Sequence, residues 1–145
     1  MNEQELQELN KRLAERAGLE VHLTDTPTGK PEMWEKHGTT LATSVGWIDF
    51  PNDLNACFGR LVPKLLEEYN IESYQFRQLT TDGIPWYYSE TSIWIKGHTT
   101  HGFDVLRDIL VARHFEQGAD LGKITALALC LAIKKLDDKR EEDSK

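Results

Sequence analysis

Cysteine is scarce in this chain. Only Cys57 and Cys130 occur in 145 residues. Both stand in apolar helical surroundings, so buried free thiols are expected, and a disulfide between them is the weaker reading. Long apolar runs are missing as well. The longest nearly unbroken one, Ile124 to Ile133, falls well short of the roughly 20 residues that cross a bilayer. The opening residues, MNEQELQELNKRLAER, lack the apolar core of a secretion signal, and a cytoplasmic location is expected. Positive charge is in deficit: 17 Lys and Arg against 24 Asp and Glu leave a net charge of −7. Such a field repels a phosphate backbone, so neither a nucleic-acid polymer nor a membrane is expected as partner. The carboxylates are interspersed with Lys and Arg instead of forming long runs, which argues against a DNA mimic. No glycine-rich phosphate loop or dinucleotide fingerprint is present.

What is there is ordinary globular composition, 39% hydrophobic and 28% charged. A chain of this length buries roughly 68–70% of its unfolded surface, enough to fold without a metal or disulfide staple. One domain is expected over residues 1–136, followed by a charged tail at 137–145 that frays.

Helical spacing of Leu6, Leu9, Leu13 and Ala17 predicts a first helix over residues 3–17, stopped by Gly18. A short strand over Leu19 to Leu23 follows. Residues 24–50 are rich in Thr, Gly and Pro and read as a long loop, with a short strand or turn near Leu41 to Trp47. Trp34 and Trp47 are expected to pin that loop to the core. A second helix over residues 52–69 carries Leu54, Phe58, Leu61 and Leu65 as its buried stripe, with Asp49 or Asn52 as cap. Pro63 inside that pattern is expected to kink or split it. Ile71 to Thr80 and Trp86 to Lys96 read as a hairpin around Asp82-Gly83. Residues 103–116 fit a helix better than a strand, through Leu106, Ile109, Leu110 and Arg113. The final helix, Ile124 to Leu136, is apolar nearly all round and should be buried on more than one side. That surplus of apolar surface makes a homo-oligomer the expected assembly.

Candidate chemistry is thin. His98 and His101, with His37 or His114 as a third ligand, have weak metal spacing, and a polar loop is the plainer reading. Cys57 has no nucleophile signature around it and sits beside a buried stripe. Asp49 and Asp53, like Asp104 and Asp108, share spacing common on any solvated helix. No cofactor, metal or catalytic group is expected. The informative cluster is aromatic with arginine: Tyr74, Phe76, Trp86, Tyr87, Tyr88 and Trp94 crowd the hairpin, and Arg77, Arg107 and Arg113 lie on it or just after it. Aromatic rings stack on bases and guanidinium groups fork phosphate. Arg77, Arg107 and Arg113 are the candidate phosphate ligands, with Trp86 or Tyr88 for a base. Most of these rings are nonetheless expected to be core.

Three segments together resemble the phage ABA-sandwich family. LNKRLAERAGLEV at residues 9–21 is similar to that family's opening helix and glycine turn, with Ala17-Gly18-Leu19 where the family often has Met-Gly-Trp. IDFPNDLNACFGRLVPKL at 48–65 is similar to its aromatic-Ser-Thr-Asp helix start. There Asp53 matches the Asp, and Pro51-Asn52 replaces the Ser-Thr pair. ITALALCLAIKKL at 124–136 is similar to its closing helix through Thr125, Ala126, Leu127, Ala128 and Cys130. Residues 97–122 depart from the family. The resemblance implies an α+β fold, a small antiparallel sheet sandwiched between helices. One branch resembles the Thoeris anti-defence sponges, oligomers that hold cyclic ADP-ribose isomers or cyclic oligonucleotides without cleaving them. The expectation is therefore a phage anti-defence protein that sequesters a cyclic nucleotide signal. A protein-binding inhibitor of a host enzyme and a signal-cleaving phosphodiesterase are the alternatives.

Overall fold

The computed structural model describes residues 1–23, 26, 29–38, 41–95 and 109–143. The fold is α+β. Its antiparallel strands are divided between two three-stranded sheets, β1-β2-β3 and β4-β5-β6.

The first helix, α1 (Glu3–Arg16), begins with a capping box. The Asn2 side chain accepts from the Glu5 N–H, and the Glu5 carboxylate accepts from the Asn2 N–H. Gly18 follows it at φ +82°, where the left-handed backbone favours glycine. Leu9, Leu13 and Ala14 are buried. So is Asn10, whose amide donates to the Ile48 carbonyl at 2.7 Å and accepts from the Phe50 N–H at 2.8 Å. A buried polar side chain thereby fastens α1 to the turn at Phe50–Asn52.

The stretch read as a loop holds two strands. β1 (Leu19–His22), β2 (Glu32–His37) and β3 (Leu41–Gly46) form an antiparallel meander. β2, EMWEKH, escapes recognition because its two apolar residues are adjacent and lie on opposite faces: Met33 is buried and Trp34 is half-buried. Trp47 does not pin the segment; it is 42% exposed.

The second helical segment is split, as Pro63 requires. A short turn α2 (Leu54–Ala56) leads through a π-helical turn (Cys57–Leu61) to α3 (Val62–Leu65), with Pro63 in the first turn of α3. The Val62 N–H bonds the Cys57 carbonyl five residues back. This wider turn shifts the phase of everything before it. Cys57, Leu61 and Leu65 are buried, and Phe58, expected in the stripe, is 48% exposed. The cap is Asp53, whose carboxylate accepts from the Ala56 N–H at 3.0 Å, not Asp49 or Asn52.

β4 (Tyr69–Leu79) and β5 (Pro85–Ile95) form the expected hairpin, with Gly83 at φ +77° in the turn. The helix expected over 103–116 is a correction. β6 (Ile109–Gly118) is a strand paired along β5 from Tyr87↔Gly118 to Ile95↔Ile109. Residues 103–108 lie outside the described residues. The helical spacing of Ile109, Leu110 and Arg113 is coincidental. Alternation from Ala112 to Gln117 and the open edge of β5 decide the conformation.

The last helix, α4 (Leu121–Asp143), starts where the Asp120 carboxylate accepts from the Lys123 N–H. It packs on β5 and β6 with one side and on the Phe50–Asn52 turn, α2 and α1 with the other. Ala126, Ala128, Cys130, Ala132 and Ile133 are fully buried. The apolar surround that suggested a second copy at this helix is therefore covered within the chain. Cys57 and Cys130 meet here with Sγ atoms 3.7 Å apart, both free and buried. The Cys130 thiol is pushed well above its ordinary pKa, first by its hydrogen bond with Cys57 and then by burial. α4 also runs through the segment expected to fray. Arg16 pairs with Asp137, and Arg12 and Lys134 hold Asp138 at 3.1 Å and 2.7 Å.

Two outcomes follow from this packing. A Cβ at Gly118 would stand 2.9 Å from Ile124 Cγ2, so Gly118→Ala overpacks the junction of β6 and α4. It should cost about 1–3 kcal/mol in urea unfolding. No loss would mean that the junction relaxes freely. The Lys134 ammonium, then Arg12, holds the Asp138 carboxyl below its usual pKa. A depressed acid stabilises the fold above its unfolded pKa of about 3.9, and that stability is lost as pH falls through the folded value. Asp138→Asn should therefore be less stable than the parent chain at pH 7, and the two should converge in strong acid. A difference that persists unchanged at low pH would rule out this linkage.

Candidate functional site

The second sheet has two unlike faces, set by strand alternation. On the face toward α4, Ser89, Thr91, Ile93 and Ala112 are buried. The other face carries no helix among the described residues. Register places Phe76 opposite Tyr88, Tyr74 opposite Glu90, and Glu90 opposite Phe115. The rings form a ladder. Phe76 and Tyr88 stack at 4.8 Å and 24°, Tyr88 and Phe115 at 5.3 Å and 20°, and Tyr74 leans on Phe76 at 5.9 Å. Tyr74 is 61% exposed and Phe115 52%. Trp86 stands at the end of this face, its indole N–H donating to the Gln117 side chain at 3.4 Å.

Charge enters this face beside the ladder. Arg113 pairs with the Glu90 carboxylate at 2.9 Å and donates to Ser92 Oγ at 3.1 Å. The Tyr88 hydroxyl donates to the same carboxylate at 3.3 Å. The Tyr88 phenol is held above its ordinary pKa, first by shielding from water and then by the Glu90 charge and hydrogen bond; Arg113 works in the opposite direction.

The structure thus brings Trp86, Tyr88 and Arg113 onto one face. Arg77 is not among them. It pairs with Tyr87 and projects from the opposite side of β4. Arg107 lies outside the described residues. Tyr88 is a poor base platform, because Phe76 on one neighbouring strand and Phe115 on the other occupy its two flanks. The open platforms are Phe115, at the outer end of the ladder, and Trp86. Phe115 and Glu90 were missed in the sequence. Reading β6 as a helix hid the alternation of Arg113, Phe115 and Gln117 that marks a strand face.

Of the histidines considered for metal, His98 and His101 lie outside the described residues. His37 bonds Thr43 Oγ1 at 2.8 Å, and His114 bonds Glu116 at 2.7 Å. Among the described residues no group of three His, Cys, Asp or Glu side chains could hold a metal ion, and no helix is long and apolar enough to cross a membrane.

Two clefts lie beside α1. A cleft of about 490 Å³ runs between α1 and Trp47, with Gln4, Gln7, Lys11 and Leu23 in its walls. A second, of about 240 Å³, adjoins it, sharing Gln7 and Trp47 and reaching Asn10 and Asp49. None of the ladder rings lines either cleft.

Glu90 is the group that ties this face together, and Glu90→Gln tests it. Removing the carboxylate removes two influences that raise the Tyr88 pKa and leaves the Arg113 charge that lowers it. Ultraviolet titration of tyrosinate should show one residue shifting downward. An unchanged or upward-shifted curve would contradict the assigned coupling. In comparisons with known proteins, no family model, no curated protein and no solved structure matches the chain.

Proposed function

We propose that this chain acts by binding and not by catalysis, as a phage anti-defence protein of the sequestering kind its sequence resembles, and that it holds a cyclic nucleotide or cyclic ADP-ribose isomer. The observation that supports this reading is the open aromatic ladder beside an arginine. An antiparallel sheet with one face in water normally shows polar side chains there. Four rings and an indole on that face are the chemistry of stacking, and each stacked base contributes roughly 1–3 kcal/mol. The chain's side-chain geometry narrows the roles. A base would lie on Trp86 or on the outer side of Phe115, not on Tyr88. Arg113 would meet phosphate only by exchanging its bond to Glu90, and in a chain of net charge −7 no general field assists it.

The position of the clefts supports a second reading. The clefts described above do not lie on this face, and small-molecule sites are usually concave. An exposed aromatic patch also suits a protein partner, so inhibition of a host enzyme through this surface is the alternative.

Calorimetry with cyclic ADP-ribose isomers and cyclic dinucleotides separates the readings. Sequestration of a scarce signal requires a Kd on the order of nanomolar, about −12 kcal/mol, with intact ligand recovered on heating. Trp86→Ala and Phe115→Ala should weaken binding about tenfold or more, the equivalent of roughly 1.4 kcal/mol each. Absence of binding to both ligand classes would end the sequestration reading. Loss of the nucleotide during incubation would move the assignment to an enzyme.

A further inference from the structure

β4 is the longest edge strand among the described residues and the least guarded. Eleven consecutive residues pair with β5 without a register shift. The opposite edge of β4 meets no strand among the described residues. Natural sheets guard such edges with lysine, proline, bulges or shortness. YNIESYQFRQL contains no lysine and no proline, and two charges only, Glu72 and Arg77. The other edges are guarded: β1 has four residues, β3 six with a register shift beside it, and β6 faces a bulge at Ile93/Trp94.

The hydrogen-bond phase of the free edge can be read from the hairpin end. The Thr80 N–H donates to the Ile84 carbonyl, so that pair is of the bonded kind. The next pair, Leu79↔Pro85, includes a proline that has no N–H to give. Alternation along an antiparallel ladder then turns the N–H and C=O of Ile71, Ser73, Gln75, Arg77 and Leu79 outward. These groups face away from β5.

We infer that this edge is completed by a second copy of the chain, β4 against β4 about a two-fold axis through Gln75, giving one continuous six-stranded sheet. The register comes from side-chain complementarity. Centred on Gln75, it sets Tyr74 opposite Phe76 and Ile71 opposite Leu79 of the second copy, apolar on apolar on both faces. Glu72 meets Gln78 and Arg77 meets Ser73, so no like charges oppose one another. Moving the axis to Tyr74 would set Glu72 against Phe76 and Ile71 against Arg77. Moving it to Phe76 would set Tyr74 against Gln78 and Ser73 against Leu79. The Gln75 register continues the aromatic ladder from one copy into the next, from Phe115 through Tyr88 and Phe76 to Tyr74 of the second copy; an axis at Tyr74 or Phe76 would do so by pairing that ring with itself, so the flanking pairs make the choice. Ile71, Ser73, Gln75, Arg77 and Leu79 then exchange backbone bonds with the second copy, about ten in all. The interface is isologous, as a closed dimer requires, and it involves neither α4 nor the clefts beside α1.

Analytical ultracentrifugation at micromolar concentration should give a species of twice 16.6 kDa. Gln75→Pro removes an outward N–H and puts a ring on the edge, a position where proline is tolerated in a sheet. It should convert the dimer to a monomer with unchanged far-ultraviolet circular dichroism. Gln75→Cys gives a test that does not depend on that variant folding. Its two sulfurs would face each other across the axis with Cα atoms about 5.5 Å apart, within disulfide range, and Cys57 and Cys130 are buried. Mild oxidation should yield a covalent dimer from Gln75→Cys alone. Ser73→Cys should cross-link only when mixed with Arg77→Cys. A monomeric parent chain overturns the inference, including the case in which it becomes oligomeric only with another protein. So does a dimer that survives Gln75→Pro and fails to cross-link through Gln75→Cys.

Discussion

Everything in this fold depends on α4 being buried from two sides. A helix with small residues at Ala126, Ala128, Cys130 and Ala132 can approach its neighbours closely on opposite flanks. One flank lies on β5 and β6, and the other on the Phe50–Asn52 turn, α2 and α1. The sheet residues beneath it are small as well, with Ser89 and Thr91 fully buried. Small residues on both sides leave no space to spare, which is why the approach of Gly118 to Ile124 is so close. The ion pairs of Asp137 and Asp138 with α1 then act at the rim of a helix already fixed by packing. Partly exposed pairs of this kind contribute only modestly.

Committing α4 to β5 and β6 has a cost for β4. One helix spans about two strands of a sheet, since strands lie roughly 4.8 Å apart and a helix with side chains is about 10 Å wide. β4 falls outside its cover. From Glu72 to Leu79 both of its faces are exposed, although the strand carries Tyr74, Phe76 and Leu79. The aromatic ladder is the local remedy. Rings on adjacent strands stack on one another and shield each other's faces where no helix does. The ladder also has a direction. It runs from Phe115 on β6, one edge strand, across Tyr88 on β5 to Phe76 and Tyr74 on β4, the other edge strand, and its most exposed member is Tyr74.

Some of this was legible beforehand for physical reasons that can be named. α1 and α4 carry their signals in their own residues: a leucine stripe, a terminal glycine, and an apolar run too symmetric for a surface helix. The hairpin was legible because Asp82-Gly83 supplies a left-handed turn between two aromatic strands. β6 was not, because Ile109, Leu110 and Arg113 satisfy helical spacing by chance and only pairing with β5 decides against it. The burial of Phe58 was misjudged because a π-turn, which nothing but Pro63 hints at, shifts the helical phase by one residue. The site residues divide along the same line. Trp86 and Tyr88 share a face because they are two apart on one strand. Arg77 and Arg113 fall on opposite faces because their relation passes through two registers, and registers are tertiary facts. Glu90, which captures Arg113, is two residues from Tyr88 in sequence, yet as a partner for arginine it becomes visible only once β6 is a strand.

The pairing of Arg113 with Glu90 also bears on what the aromatic face can recognise. A free guanidinium beside exposed rings would attract anions indiscriminately, and in an acidic protein it would also attract its own carboxylates. Held by Glu90 and Ser92, it presents a neutral pair instead, and the Tyr88 hydroxyl shares the same carboxylate. Any anion that displaces Glu90 must leave that carboxylate with Tyr88 as its remaining partner, with its charge partly shielded from water. Displacement is therefore unfavourable for a lone phosphate and becomes favourable only for a ligand that gains stacking at the same time. On the binding reading proposed above, the face would discriminate by requiring both contacts together, and the requirement would arise from the spacing of Tyr88, Glu90 and Ser92 along one strand opposite Arg113 on the next.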